Sequence, residues 1–251
     1  MERLRLIRHS FPDQPELSTE ISRTILRRVA AGELPPTIRI HRPGNEVAFG
    51  RQDISSPAYQ AAAAAAREAG FAAVERLAGG RAAVFHTGTI AIARAYADPQ
   101  PPKRTYARFE EMAELIADSL RGLGVDAGVG EVPGEYCPGA YSVNARGATK
   151  LAGIGQRMIR GGAHLGGVVV GSEGGEVARV LEPVYDALEL DFDPATSGSV
   201  SEELGREVDP GELEEALIDE LGKRYELIDA ELDEATLQIA TRSLEEVRAG
   251  R

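Results

Sequence analysis

Between Thr37 and Tyr96 the chain reads as a succession of short strand-like runs: Thr37 to His41, Glu46 to Phe49, Ala72 to Arg76, Ala82 to Phe85 and Thr89 to Tyr96. Gly and Pro punctuate them, and regular helices between successive runs are scarce. A parallel sheet needs a long crossover, usually helical, between neighbouring strands. The pattern therefore predicts a mixed, largely antiparallel sheet and disfavours a doubly wound parallel one. A second group, Tyr141 to Asn144, Leu151 to Met158 and His164 to Val170, is joined by Ala145-Arg-Gly-Ala148 and Arg160-Gly-Gly162, which read as hairpin turns.

Helical periodicity surrounds these strands. Ile21, Ile25, Leu26 and Val29 recur at helical spacing in a segment from about Ser18 to Ala31. The alanine run Ala61 to Ala66 lies between a Ser56-Pro57 start and a Gly70 stop. Tyr106 to Leu123 places Phe109, Met112, Leu115, Ile116 and Leu120 on one face, and three further helices are expected at Val177 to Leu188, Pro210 to Lys223 and Glu234 to Arg248. The reading is an α+β fold: a sheet flanked by helices over residues 1–190, with 191–251 as a linker and a small C-terminal helical appendage packed on it. Asp191 to Ser201 is the linker candidate.

Charge narrows the partners. Forty acidic against 28 basic residues give a formal charge of −12, a field that repels nucleic acid and anionic membrane surfaces. An acidic protein partner would have to be met through local basic patches or in screening salt. One cysteine precludes an intrachain disulfide, the first residues lack a signal-peptide apolar run, and no stretch approaches the roughly 18 apolar residues of a membrane span. A soluble, cytoplasmic protein is expected.

Two Gly-rich stretches carry candidate chemistry. Arg76-Leu-Ala-Gly79-Gly80 leads into a strand, and a Gly-Gly pair permits close backbone approach to a ligand. It has neither P-loop spacing nor a Gly-x-Gly-x-x-Gly turn opening a helix, so a mononucleotide or Rossmann site is disfavoured. The lone cysteine, Cys137, sits in Gly134-Glu-Tyr-Cys-Pro-Gly-Ala-Tyr-Ser142, thirteen residues before Lys150, one of only three lysines. Pro138-Gly139 would turn the backbone and present the sulfur at a cleft rim, and a hairpin would bring Lys150 close. A cysteine nucleophile beside a cation points to acyl transfer through a thioester; the other reading is a small buried hydrophobe.

The pieces Cys137-Pro-Gly-Ala-Tyr-Ser142, Lys150-Leu-Ala-Gly-Ile-Gly-Gln-Arg157 and Ile159-Arg-Gly-Gly162 resemble the octanoyl-[glycine-cleavage H protein]:protein octanoyltransferases of the biotin/lipoate protein ligase superfamily. The likeness extends to Phe49-Gly50-Arg-Gln-Asp53 and to Arg76-x-x-Gly79-Gly80. It implies an α+β catalytic domain with a mixed sheet. It implies Cys137 as acyl-accepting nucleophile, Lys150 at the bound acyl carbonyl, and Arg76, Gly79 and Gly80 along the acyl pocket. Gly153 and Gln156 of the lysine motif, and His86, are further substrate-binding candidates; no metal ligands are implied. The implied partners are lipoyl-domain and glycine cleavage H-type carrier proteins, with an octanoyl or lipoyl group as ligand. Amide and thioester exchange are nearly balanced, so no cofactor is required. Two alternatives stand beside this reading: an ATP-dependent lipoate–protein ligase, which would need ATP and Mg, and a non-catalytic carrier-binding or regulatory subunit.

Overall fold

The computed structural model describes residues 1–249. Its strands are β1 (Glu2–Ile7), β2 (Thr37–His41), β3 (Glu46–Phe49), β4 (Ala72–Glu75), β5 (Ala83–Phe85), β6 (Thr89–Ala97), β7 (Ala127–Val129), β8 (Val143–Ala145), β9 (Thr149–Ile159), β10 (Gly162–Val170) and β11 (Tyr225–Asp229). The helices are α1 (Pro15–Ala30), α2 (Arg51–Ile54), α3 (Tyr59–Glu68), α4 (Thr105–Gly122), α5 (Gly174–Ala187), α6 (Val200–Leu204), α7 (Pro210–Arg224) and α8 (Glu234–Ala249). None of the described helices is long and apolar enough to cross a membrane.

Eight strands form one sheet in the order β11-β1-β2-β6-β10-β9-β8-β7, and β4-β3-β5 form a second, small one. Only β1–β11, β1–β2 and β3–β4 pair in parallel. The mixed, largely antiparallel sheet read from the short runs is the one observed. Hairpin chemistry explains its centre: Arg146 and Gly147 at φ 53° and 69° turn β8 into β9, and Gly161 at φ 82° turns β9 into β10.

The helices that flank the sheets are held by the apolar stripes that mark them in the sequence. On α1, Leu17, Ile21, Ile25 and Val29 are buried against Ile7 and Ala95, with α8 packed outside. Complete burial of one such side chain stabilises by about 1.5–3 kcal/mol. Met112, Leu115, Ile116 and Leu120 of α4, with Leu213 and Leu217 of α7, cover the opposite face of the large sheet. The small sheet sends Val47, Phe49 and Val84 into a second core with α3 and α5. Its other face looks back at the large sheet.

Three strands escape the sequence reading: the edge strands β7 and β11, and β1 beside β11. In β1 only Leu4, Leu6 and Ile7 are buried among charged neighbours, and β11 exposes Glu226, Ile228 and Asp229. Both are short and half-solvated, so alternation is their only signal. The 191–201 segment differs from a linker. Thr196, Ser199 and Val200 are buried, Ser197 bridges to Lys150, and Asp193 N–H bonds to the Gly134 carbonyl. Its Asp, Ser and Pro residues resemble linker composition because they also cap helices: Asp193 and Ser199 each accept an N–H from the turn that follows.

Candidate active site

A cavity of about 550 Å³ lies between the two sheets. It exists because the facing positions carry almost no side chain. On the large sheet they are Ala91, Ala93, Gly153, Gly155 and Gly166; on the small sheet, Ala48 and Ala83. Interiors otherwise pack to near-crystal density, so a run of missing side chains on two apposed sheets makes a channel. Arg76, Gly79, Gly80, Cys137, Lys150, Gly153 and Gln156 all line it.

Cys137 sits on the turn before Pro138 with a left-handed backbone, φ 43°. Such a conformation is strained for a residue with a Cβ and persists only where the surroundings impose it. Its N–H donates to the Tyr185 hydroxyl at 2.7 Å, and that hydroxyl donates onward to the Ala82 carbonyl at 3.0 Å. Lys150 Nζ donates to the Tyr136 and Cys137 carbonyls at 2.8 and 2.9 Å. The turn is thus clamped from β9 and α5.

The sulfur faces positive groups. Arg81 N–H donates to Sγ at 3.2 Å and Arg76 Nη2 at 3.4 Å. Burial pushes the thiol up, but the Arg76 and Lys150 charges and the hydrogen bonds from Arg81 and Arg76 outweigh it, leaving the pKa below the ordinary thiol value. Lys150, 1 % exposed, is shifted down by burial, a shift that Cys137 and the buried Glu135 carboxylate, 3.4 Å away, oppose in part. Glu135 also accepts from Gly139 N–H at 3.0 Å and Ser142 Oγ at 2.6 Å, so one carboxylate holds both the turn and the lysine.

The glycine loop closes on the sulfur. Arg76 Nη2 bonds the Gly79 carbonyl, and Gly79 N–H donates to the Gln156 carbonyl at 3.2 Å. That donor is therefore spent on β9, and the loop N–H aimed at the sulfur is that of Arg81. Asp53, fully buried, accepts from Gly50 N–H at 3.0 Å and Arg81 Nη1 at 3.1 Å. Gly50 and Gly80 stack so closely that a Cβ at Gly50 would strike the Gly80 carbonyl. This is the physical content of the Phe49-Gly50-Arg-Gln-Asp53 segment. At Gly80, φ 109°, a Cβ would overlap the Arg76 guanidinium and come within 2.8 Å of Cys137 Sγ. Gly80→Ala is expected to slow reaction at the Cys137 sulfur roughly 10²-fold, the scale of a displacement of about 1 Å at a reacting centre. Single-turnover kinetics beside a melting curve will check it, and an unchanged rate would contradict the packing.

Gln156 turns to α4: its Oε1 accepts from Arg108 Nε at 2.6 Å, and Arg108 pairs with buried Asp98 at 2.6 Å. His86 is elsewhere. Period-2 alternation sends Ala83 and Phe85 to the cavity and His86 to the Val84 side, where Nδ1 accepts from Gly88 N–H at 3.1 Å and lies 3.8 Å from Glu173. It does not line the cavity and is corrected from the substrate-binding set. Glu135, Tyr185 and Asp53 were not picked out as site residues; a buried acid or Tyr beside the Cys and Gly-Gly segments is their one sequence signal.

Residues 14–222 match the lipoyl protein ligase A/B catalytic domain. The chain is 30% identical over 210 residues to the octanoyl-[GcvH]:protein N-octanoyltransferase of Geobacillus kaustophilus, covering 80% of this chain and 74% of that protein. It is 30% identical over 139 residues, 55% of this chain and 50% of the relative, to the lipoyl-[GcvH]:protein N-lipoyltransferase of Listeria monocytogenes. In fold it is similar to a bi-partite lipoate protein ligase from Thermoplasma acidophilum, TM-score 0.72 at 18% identity over 98% of this chain and 93% of the other. Lipoate-protein ligase A bound with ATP superposes likewise, with TM-score 0.72 and 19% identity over 98% and 95% of the two chains. The chain belongs to the lipoyl protein ligase A/B catalytic domain family and is an enzyme of protein lipoylation.

Proposed function

We propose that the protein transfers an octanoyl or lipoyl group from the lysine of a donor carrier to the lysine of an acceptor lipoyl domain, through a thioester on Cys137. The supporting observation is the sulfur at the cavity wall, turned toward Arg76, Lys150 and the Arg81 N–H. The thiolate attacks the acyl carbonyl carbon of the donor amide, and the C–N bond breaks as the C–S bond forms. The departing amine needs a proton; Lys150, whose pKa burial lowers, is the cation at hand to give it and to stabilise the oxyanion. The neutral acceptor amine then attacks the thioester carbon, its proton returns to Lys150, and the C–S bond breaks as the C–N bond forms, restoring the thiolate. Atoms balance without a nucleotide or a metal. The names of the relatives include GcvH as carrier, which supports an H-type donor here.

The test is to incubate the protein with acylated carrier, without ATP, and weigh it. An octanoyl or lipoyl increment on Cys137 that disappears when acceptor domain is added is expected. Transfer that requires ATP and leaves Cys137 free would replace this reading with the ligase one.

Carrier docking has a place to act. Lys103 and Arg104 precede Thr105, and Arg157 and Arg160 flank Met158; Thr105 and Met158 touch at 3.3 Å and line the cavity. All four cations are exposed, and none of the ion pairs among the described residues includes them. In a chain of charge −12 this is the local basic patch an acidic carrier needs. Arg157→Glu with Arg160→Glu is expected to raise KM for the acyl carrier about tenfold and flatten its salt dependence, with kcat little changed. Steady-state kinetics at two salt concentrations will read it.

A further inference from the structure

The cavity has a second end. His41 of β2 stands in register, through Ala91 and Val168, with Gly153 of β9, beside Lys150. Three strand spacings place it roughly 14 Å from the thioester end. There the lining changes from glycine and alanine to His41, Glu46, His164, Ser18 and Ser22.

His41, Glu46 and His164 are nine-tenths or more buried and poorly partnered. His41 is 7 %, Glu46 9 % and His164 4 % exposed. His41 Nε2 meets Ser18 Oγ at 3.2 Å, but Nδ1 has no partner among the described residues. Neither the Glu46 carboxyl nor the His164 ring makes a hydrogen bond or ion pair among them. Arg39, behind them, is spent on the Ser18 carbonyl and Ser22 Oγ at 3.1 and 2.9 Å. Burial holds Glu46 up to about 7, and burial with the Arg39 charge holds His41 well below its ordinary value; burial with Arg39 and Arg23 holds His164 down to about 3. The end is therefore an uncharged or weakly charged set of donors and acceptors aimed into a channel. Of the three, His41 Nδ1 is enclosed without a partner, while the Glu46 and His164 polar groups line the cavity, open to a ligand atom that hydrogen-bonds.

Length says which atom. An extended eight-carbon acyl chain spans about 9 Å from carbonyl carbon to terminus, and the thioester adds about 2 Å. Its last atom then stands within a few ångströms of the His41 ring. A methyl there would leave all three groups unpaired. The sulfur of a dithiolane, or of its reduced dithiol, meets them as weak acceptor or donor.

We propose that this polar end selects an acyl chain bearing sulfur at its far end, a lipoyl group, over a plain octanoyl chain of equal length. The inference rests on the transfer reading above. The experiment compares adduct formation on Cys137 from lipoyl-carrier and octanoyl-carrier at subsaturating donor. A rate about tenfold higher for lipoyl is expected, with Glu46→Leu bringing the ratio to one or below and Glu46→Gln preserving it. Equal or faster octanoyl transfer by the unaltered protein, or an unchanged ratio in Glu46→Leu, overturns it. Binding of free lipoate and octanoate to the unaltered protein decides the same point without a variant: lipoate about tenfold tighter supports it, equal affinity overturns it. Should neither carrier leave an adduct, the transfer reading falls, while the free acids still decide the selectivity.

Discussion

Cys137→Ser is expected to leave no acyl adduct and to cut carrier-to-carrier transfer by about 10³-fold or more, with a melting temperature close to the parent's. Loss of a nucleophile that acts with its neighbours as a unit has effects of at least this size. The fold should not notice. The turn is held by the Cys137 N–H on Tyr185 and the Cys137 carbonyl on Lys150, and both bonds belong to the backbone. What changes is the sulfur. A serine hydroxyl titrates far too high for Arg76, Lys150 and one N–H to ionise it, whereas the thiol already lies below its ordinary value in that field. The pH profile follows with a definite sign: because the pKa is lowered, adduct formation stays on its plateau below the ordinary thiol range and falls only as pH drops through the lowered value. Intact transfer by the serine variant, measured by mass and by carrier exchange, would remove the thioester from the mechanism.

Lys150→Met carries the second large effect, and it splits in two. Removing a buried cation from an oxyanion site typically costs roughly 10²–10³ in rate. It also takes away one of the charges that lower the Cys137 pKa, so the acid limb of the profile moves to higher pH. Separately, Glu135 loses its buried partner 3.4 Å away. An uncompensated buried charge destabilises by about 3–5 kcal/mol, or roughly 6–20 °C in Tm for a chain of this size. A second variant separates the two: Lys150→Met with Glu135→Gln removes the stranded charge and should recover most of the Tm without recovering the rate. Recovery of both would mean that Lys150 acts only through the architecture of the turn.

Why some of this was legible in the sequence and some was not comes down to range. Hairpin turns such as Arg160-Gly-Gly162 and the stripe on α4 are written in neighbouring residues, and the central sheet follows them. Cys137 and Lys150 were found because a rare residue of each type falls in one Gly-rich hairpin region. Tyr185 reaches the cysteine turn from α5, 48 residues after Cys137, and Asp53 reaches the glycine loop from α2, 28 residues before Arg81. No local pattern encodes such meetings. The cavity itself is a negative: alanines and glycines look unremarkable on each strand until register aligns them. His86 shows the reverse error, since its place beside a Gly-Gly strand suggested the site, and a single step of strand alternation turns it away.

The pairing of β1 with β11 has a consequence for the order in which the molecule assembles. Arg3 and Glu226, joined across this edge, lie 223 residues apart in the chain. Every other neighbour in the large sheet can find its partner with far less chain between, and long closures are slow. During synthesis β1 can pair with β2 at once, yet its outer rim waits, unpaired, while α7 and then Tyr225–Asp229 are made. The rim is guarded meanwhile by Glu2, Arg3 and Arg5, charges of the kind that discourage edge-to-edge association of nascent chains. The last strand thus works as a latch, set after the central hairpins have already closed.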